Sequence, residues 1–425
     1  MDLEVVVASL KGPEGAGALE AEWSASQAAL PAGPLPFLQE DFVRSACAEA
    51  GLPAEVEEQA VATAAQARAS DALRALAWHG HYCVYRAPVS PRAAIAAWPS
   101  LAEVFGGKDN LFYLLVLLSG MPELQRRYAE HEVPACVARD TLFDIERWMR
   151  VHQAKHGAWG LAPDRLNWLR NHMRGELYQL GRLQFQFGAF APGFQVFRHR
   201  GTGSVIAFAD AGLHFRADGQ IDGAGGVVDP DGGWFSHLEV DETEVRGFPI
   251  LPQGVARHEA LTLPRNAWER VLAAGDPVLH LHIPAGSPME FAACGESLQQ
   301  ALAFFPRHFP EKPFVAFACS SWLLDSQLEQ MLPAESNLVR FLREMYLLPS
   351  RSGGGGTLER VFGTSTIDPR TAPRDTTLRR AIADHLLAGG HLRGARCFLF
   401  PRDLDWGSQV YRRGQAVALV DVSPA

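Results

Sequence analysis

His280 and His282 stand two positions apart in an apolar run, Val278 to Ile283, that reads as a β-strand. Successive strand side chains alternate between faces, so both imidazoles point the same way. Such a pair can take up a proton near neutral pH or ligate a metal. No third ligand stands at a spacing that completes a metal set, so no metal is expected. The pair then reads either as a site-lining base or as packed strand histidines. The strand leads into Pro284, Ala285, Gly286 and Ser287, and a helix is expected to open at Pro288 and run to Phe305. Proline suits a first helical turn and Ser287 suits the N-cap. A junction of this kind offers free backbone N–H groups and the positive end of a helix, which suits a phosphate, while Gly286 admits close approach. Many strand–helix junctions share this composition without a ligand, so a purely structural reading stands beside it.

A second junction, Cys319–Ser320–Ser321–Trp322, ends the next expected strand and opens the next helix. Small polar residues at the carboxyl edge of a sheet sit where open α/β sheets bind ligands. Cys319 also reads as a small buried hydrophobe, and Ser320 or Ser321 as an N-cap. His79, His81 and Cys83 have ligand-type side chains, but they close a helix and read as structural. There is no Gly-x-Ser-x-Gly elbow, Walker loop or His-Glu-x-x-His, so the common hydrolase, NTPase and zinc-protease signatures are absent.

These segments must be held by elements of two kinds. From about Pro36 to Gly175 the pattern is helical: Glu57 to Trp78, Leu111 to Tyr128, Arg139 to His152 and Pro163 to Tyr178, with breaks at Gly106–Gly107, Pro134 and Gly157–Gly160. From Leu183 the period shifts toward two, in LQFQFGAF, FQVFRH, SVIAFA and LHFRA. A Gly- and Asp-rich loop, Gly223 to Gly233, follows. Beyond it the reading is a strand at HEALTL, a short helix from Pro264 to Leu272, and strands at Val278–Ile283 and Pro313–Cys319. Helices are expected at Trp322–Met331, Ser336–Met345 and Thr376–Leu387, a linker at Ser350–Gly356, and a closing strand near Ala395–Phe400. Alternation of strands and helices implies a mixed sheet flanked by helices. The expected division is a segment 1–35, a helical domain 36–178, an α/β domain 179–400 and a C-terminal extension 401–425.

At 425 residues, with 47% hydrophobic and 20% charged residues, the chain is globular and longer than one ordinary core. The formal net charge of -9 argues against nucleic acid, whose partners neutralise phosphates with a basic face. Short clusters such as Arg198–Arg200 and Arg412–Arg413 read as solvated surface. The opening MDLEVVVASLKGPEG lacks a basic n-region, and Leu111 to Leu118 is far shorter than the ~20 residues a spanning helix needs. The six cysteines are scattered, with no Cys-x-x-Cys pair, and read as reduced core thiols. A cytoplasmic protein without membrane contact is expected.

The second half resembles a bacterial family that joins a helical N-acyltransferase N-terminal domain to a GNAT-like C-terminal domain. The resemblance rests on LGRLQFQ (Leu180–Gln186), LHIPAGSPM (Leu281–Met289), FFPRHFP (Phe304–Pro310), FACSSWLLD (Phe317–Asp325), LPAESNLVRF (Leu332–Phe341), and PRDTTLRRAI with GGHLRG (Pro373–Gly394). It covers most of Leu180 to Gly394, while the first half matches through its helical character and position. It implies transfer of an acyl group from an acyl-CoA, acetyl or longer, to an amine or amino-acid-like small acceptor, with no metal. It places Ile283, Pro284, Ala285, Gly286 and Ser287 at the cofactor pyrophosphate, Val278–Ile283 along the pantetheine arm, and Phe317–Trp322, including Trp322, on the opposing wall. In the family a histidine often stands between the cysteine and serine of the Cys319 motif. Here that position is Ser320, so the resemblance brings no base there.

The mechanism expected is direct attack by a neutral amine, with His282 as base and His280 second, and a hydroxyl from Ser321 or Tyr346 meeting the departing thiolate. Two other classes stay open: a non-catalytic module that binds CoA or an acyl ligand, and an enzyme using Cys319 as nucleophile. Acceptor specificity is expected from the helical half and the Gly223–Gly233 loop.

Overall fold

The computed structural model describes residues 1–106, 111–229 and 231–413. Gly107 of the expected Gly106–Gly107 break, Pro230 of the expected loop and residues 414–425 of the expected C-terminal extension lie outside these. The chain divides into two compact units, Met1–Gln186 with Ile283–Ser287, and Phe187–His282 with the chain from Pro288 onward.

The first unit is helical and closes on a hairpin. Phe112–Leu118 is apolar throughout and every residue of it is buried, as expected of a helix with no polar face to turn to water. Two segments that read as single helices are each broken in two. Ser70 ends Ala54–Ala69 and caps Asp71–His81, its hydroxyl accepting from the Leu73 N–H at 3.3 Å. Ser119–Gly120 separates Phe112–Leu118 from Met121–Glu130. The long helix Ala135–His156 ends at Gly157 in the left-handed region, which glycine enters without strain. The expected helix to Tyr178 stops at Met173, and Leu177–Leu180 is instead a strand paired with Leu183–Ala189 across a two-residue turn.

The second unit carries several sheets. In one, Pro277–His282 runs parallel to Ala316–Ser321, and the helix Phe291–His308 makes the crossover between them. Ala395–Leu399 and then Tyr346–Pro349 extend that sheet antiparallel. A second sheet has the order Val255–Ala256, Pro249–Leu251, Val205–Ala209, Phe194–His199, Trp268–Leu272. Its face contributes Phe197, Ile206, Phe208 and Trp268 to a buried cluster completed by Val245 and Leu263. The expected short helix at Pro264–Leu272 is therefore a correction: Trp268–Leu272 pairs with Phe194–His199. The spacing of Trp268, Val271 and Leu272 imitates a helical face, and the β-bulge between Arg270 and Leu272 is what breaks the strict period of two.

The surface reading of the arginine clusters is corrected in the same unit. Arg198 is 3% exposed, and its guanidinium binds both Asp403 oxygens at 2.9 and 2.6 Å. Asp403 also accepts from the Tyr411 hydroxyl at 3.0 Å. Arg412 reaches Glu329 at 2.9 Å. Charge identity cannot separate a solvated arginine from one whose carboxylate lies 205 residues away in sequence.

All six cysteines are free thiols, and only Cys136 is exposed. Among the described residues no helix is long and apolar enough to cross a membrane.

Candidate active site

The ladder between the two parallel strands is short. It pairs Val278 with Ala316, Leu279 with Phe317 and His280 with Ala318. The strands continue to His282 and Ser321, but their shared register ends at His280. On its other side Ala316–Ser321 stays paired, with Cys319 opposite Cys397, Ser320 opposite Arg396 and Ser321 opposite Ala395. The two strands part past this pair, with Leu281 and His282 on one side and Cys319 to Ser321 on the other.

His280 is half-buried at the start of this gap. Its ring donates to the Ala189 carbonyl, while burial, and then the positive charge of Arg396, push its pKa below the ordinary histidine value. The neutral imidazole is favoured, with one nitrogen committed as donor and the other left as acceptor. The fit is tight: a Cβ at Gly188 would lie 2.4 Å from His280 Cδ2 and 2.6 Å from Nε2. Arg396 is itself fixed, donating to the Pro192 carbonyl at 2.7 Å and the Ala191 carbonyl at 2.5 Å. His282 is half-buried on the same strand face as His280.

The next residues, Ile283 to Ser287, belong to the helical unit. Pro284 is buried and Ala285, Gly286 and Ser287 are exposed. Gly286 holds φ +95, a conformation that strains any side chain. The expected helix start is corrected here. The helix begins at Phe291, with Glu290 at the N-cap and no side-chain cap, so Ser287 is a loop residue. Its carbonyl accepts from Arg182 at 2.9 Å. The loop therefore offers backbone N–H groups of its own, and the helix end comes three residues later than the proline suggests.

Two arginines that the sequence did not single out flank this loop. Besides Arg182, Arg147 lies beside it, with Nε 3.7 Å from where a Gly286 Cβ would stand. Arg147 is tethered by an ion pair to Asp144, one turn earlier in Ala135–His156. Asp144 is almost fully buried. It also accepts from Trp168 Nε1 at 2.8 Å and faces His172 Nε2 at 3.3 Å. Burial alone would raise the Asp144 carboxyl, but the bonds from His172 and Trp168 and the Arg147 charge hold it well below the ordinary carboxylate range. A cation fixed in this way beside an exposed glycine loop can bind an anionic oxygen without first being ordered.

Cys319 is 5% exposed and its thiol is hydrogen-bonded to Cys397, which burial and that partner push well up in pKa. Ser320 is exposed. Ser321 is an N-cap, its hydroxyl accepting from the Leu323 N–H at 3.2 Å, and Trp322 opens the short turn that follows. Tyr346 is 1% exposed, with its hydroxyl accepting from the Ala207 N–H at 3.1 Å and donating to the Ile250 carbonyl at 2.5 Å. It bridges two sheets and does not join the gap.

His79, His81 and Cys83 pack inside the helical unit. His79 meets Ser26 at 2.9 Å and His81 meets Ser119 at 2.8 Å. Burial pushes both imidazoles down to about 4. Among the described residues no group of three or more His, Cys, Asp and Glu could hold a metal ion. In the second unit a cavity of about 420 Å³ lies beside the Gly-rich loop, lined by Arg216, Asp218, Asp229, Gln327, His391 and Arg393 among others.

Two family models match the chain. Residues 41–175 match the N-acyltransferase N-terminal domain and residues 177–399 match the GNAT-like C-terminal domain. Similar solved structures include an acyltransferase in complex with decanoyl-CoA and teicoplanin, at 26% identity and TM-score 0.63, covering 94% of this chain and 99% of that one. A mutant acyltransferase with octanoyl-CoA is similar at 25% identity and TM-score 0.63, with the same coverage. An acyltransferase with CoA and 10C-teicoplanin matches at 26% and 0.63, over 94% and 99% of the two chains. No curated protein sequence matches. The chain is an acyltransferase, and it belongs to the family that couples an N-acyltransferase N-terminal domain to a GNAT-like C-terminal domain.

Proposed function

We propose that the chain transfers a medium-length acyl group from an acyl-CoA to an amine by direct attack. The observation that carries this reading is the end of the parallel ladder at His280 and Ala318, which leaves His282 and Cys319 to Ser321 on two sides of a gap. The donor's diphosphate is assigned to the Pro284–Ser287 loop, where backbone N–H groups, Arg147 and Arg182 supply donors and positive charge, and Gly286 keeps the approach clear. Ile283 is assigned with that loop, and Trp322 with the Cys319–Ser321 side of the gap.

In the reaction the amine nitrogen attacks the thioester carbonyl carbon, the C–N bond forms, and the C–S bond breaks to release CoA thiolate. The attacking amine gives up a proton, which His282 accepts, with His280 behind it on the same face. Burial and Arg396 keep His280 neutral, so it neither repels a cationic acceptor nor needs to lose a proton first. A backbone N–H near His282 meets the charge that develops on the thioester oxygen, and the Ser321 hydroxyl can donate to the thiolate while its oxygen caps the turn. Tyr346 is assigned to structure, because both functions of its hydroxyl are occupied in the core. The direct route is favoured over a Cys319 acyl-enzyme because the Cys319 thiol is buried against Cys397.

The acceptor class follows the structural relatives more than the expectation of a small amine. Some of them hold teicoplanin, a bulky glycopeptide, so an amine carried on a large polar molecule is proposed. The test is calorimetry with acetyl-, octanoyl- and decanoyl-CoA on the full chain. Binding of the longer thioesters that weakens in Gly286→Trp supports the site, and no binding of any CoA thioester would refute it.

A further inference from the structure

The helix Leu166–Met173 carries a polar stripe that its surroundings do not satisfy. Asn167, Arg170, Asn171 and, just past the helix end, Arg174 recur at intervals of three and four, so they share one face. Arg170 is 5% exposed, yet Nε and Nη1 of its guanidinium have no hydrogen-bond partner among the described residues. Asn171, also 5% exposed, has an unpartnered Oδ1, and so does Asn167. The Asn167 amide nitrogen donates to the Arg92 carbonyl at 2.8 Å, which brings the segment Ser90–Arg92 against the stripe. The Ser90 hydroxyl is likewise buried without a partner.

The charges around Arg170 repeat the imbalance. Burial lowers its pKa, and the like charges of Arg92 and Arg174 lower it further. Glu176 and Tyr85 act the other way, but Glu176 pairs with Arg174 at 3.4 Å, and the Tyr85 hydroxyl donates to the Leu117 carbonyl at 2.5 Å. Burial pushes the Tyr85 phenol up, so it stays neutral and offers no counter-charge. Tyr85 lies on a turn of π-helix, Tyr82–Arg86, a form that recurs at functional sites. A buried guanidinium with neighbours of its own sign and two nitrogens lacking a partner is costly unless something anionic meets it.

We propose that the Asn167–Arg174 face, with Ser90 and Arg92, is a binding site for a compact oxyanion, a carboxylate or a phosphate. The anion takes Arg170 Nε and Nη1 as donors and is held by the fields of Arg92 and Arg174. The asparagine oxygens and the Ser90 hydroxyl bind its protonated oxygen or its water. The inference uses none of the residues assigned to acyl transfer, and it stands whether or not that assignment does.

The test is thermal unfolding of the full chain in a buffer free of oxyanions, with inorganic phosphate or acetate added at constant ionic strength set by chloride. Either probe at saturating concentration is expected to raise the midpoint by roughly 2–4 °C. A response to phosphate alone assigns a phosphate group, and a response to acetate alone assigns a carboxylate. Arg170→Met, which removes the charge and keeps the chain length, loses the response. Arg174→Glu is the second variant, because it places a carboxylate one turn from Arg170. It is expected to raise the midpoint in anion-free buffer and to abolish the response. No shift in the unaltered chain, or an equal shift in either variant, overturns the proposal.

Discussion

His280 is the last residue of its strand to share a register with the neighbouring strand, and its partner is Ala318. Two residues on, His282 stands on a strand that has parted from Ser320 and Ser321. The proposed base therefore sits past the last pair of the ladder with Ala316–Ser321. His282→Ala is expected to lower kcat by about 10²–10⁴, the usual worth of a general base, with KM for acyl-CoA little changed. Steady-state kinetics with decanoyl-CoA check this, and an unaltered kcat removes His282 from the role.

His280 depends on the absence of a side chain at Gly188. A Cβ there would come within 2.4 Å of the ring, so Gly188→Ala must turn or displace the imidazole. The expected result is a fall in kcat of about tenfold or more, with a shifted acid limb in the pH–rate profile. An unchanged profile would mean that the orientation of His280 does not matter to turnover.

Arg147 offers a test of the phosphate loop from the helical unit. Removing one charge-assisted hydrogen bond, worth about 1.5–3 kcal/mol, is expected to weaken acyl-CoA binding by about 10- to 100-fold in Arg147→Ala. Desulfo or dephospho analogues do not enter the test; calorimetry with octanoyl-CoA is sufficient. Asp144→Asn should act on stability first, since Asp144 is the buried partner of Arg147, Trp168 and His172. Breaking such a set costs roughly 3–5 kcal/mol.

Cys319→Ser separates direct transfer from an acyl-enzyme. The buried thiol bonded to Cys397 is expected to be dispensable, with kcat within about threefold of the unaltered enzyme, since direct transfer gives the thiol no bond to make or break. Intact-mass measurement with acyl-CoA and no acceptor should show no acyl adduct. An adduct on Cys319 would reverse the assignment.

His79 and His81 contribute to the pH dependence of stability. Each has a native pKa pushed down by burial to about 4 from 6.5, so the unfolded chain binds the proton more readily. Stability is full above about pH 6.5 and is lost as pH falls toward 4. By linkage each histidine is expected to cost roughly 2 kcal/mol at pH 5. Denaturant titrations at pH 7 and pH 5 check this. His79→Gln should flatten the difference, and an undiminished loss would place the acid sensitivity elsewhere.

What could be read from the sequence follows from the range of each interaction. The strand bearing His280 and His282 was legible because alternation is local, and so was the helix expected at Thr376–Leu387, which runs Thr377–Leu387 with the Thr376 hydroxyl accepting from the Arg379 N–H at 3.1 Å. The start of the Phe291–His308 helix was misplaced because Pro288 is a good first-turn residue, while Arg182 and the left-handed Gly286 keep the preceding segment in a loop. The strand Tyr346–Pro349 was missed because it is four residues long and all buried, with no alternation to show. Arg147 and Asp144 gave no signal, since i,i+3 charge pairs are common on exposed helices. Only the packing of Trp168 and His172 over the carboxylate turns this pair into a fixed cation.

The Arg198–Asp403–Tyr411 contact has a consequence for where the folded domain ends. The recognisable family sequence stops at residue 399, yet the carboxylate that neutralises a buried arginine of the second sheet lies beyond it. A chain cut at the family boundary would leave Arg198 an orphan charge in the interior, at a cost of roughly 3–5 kcal/mol. It would also lose Trp406, whose indole stacks on Phe291 at 4.8 Å and donates to its carbonyl at 2.9 Å, steadying the first turn of the crossover helix. The segment past the last strand works as a latch: it closes from outside the boundary that homology draws, bringing the counter-charge of Arg198 and the ring against Phe291.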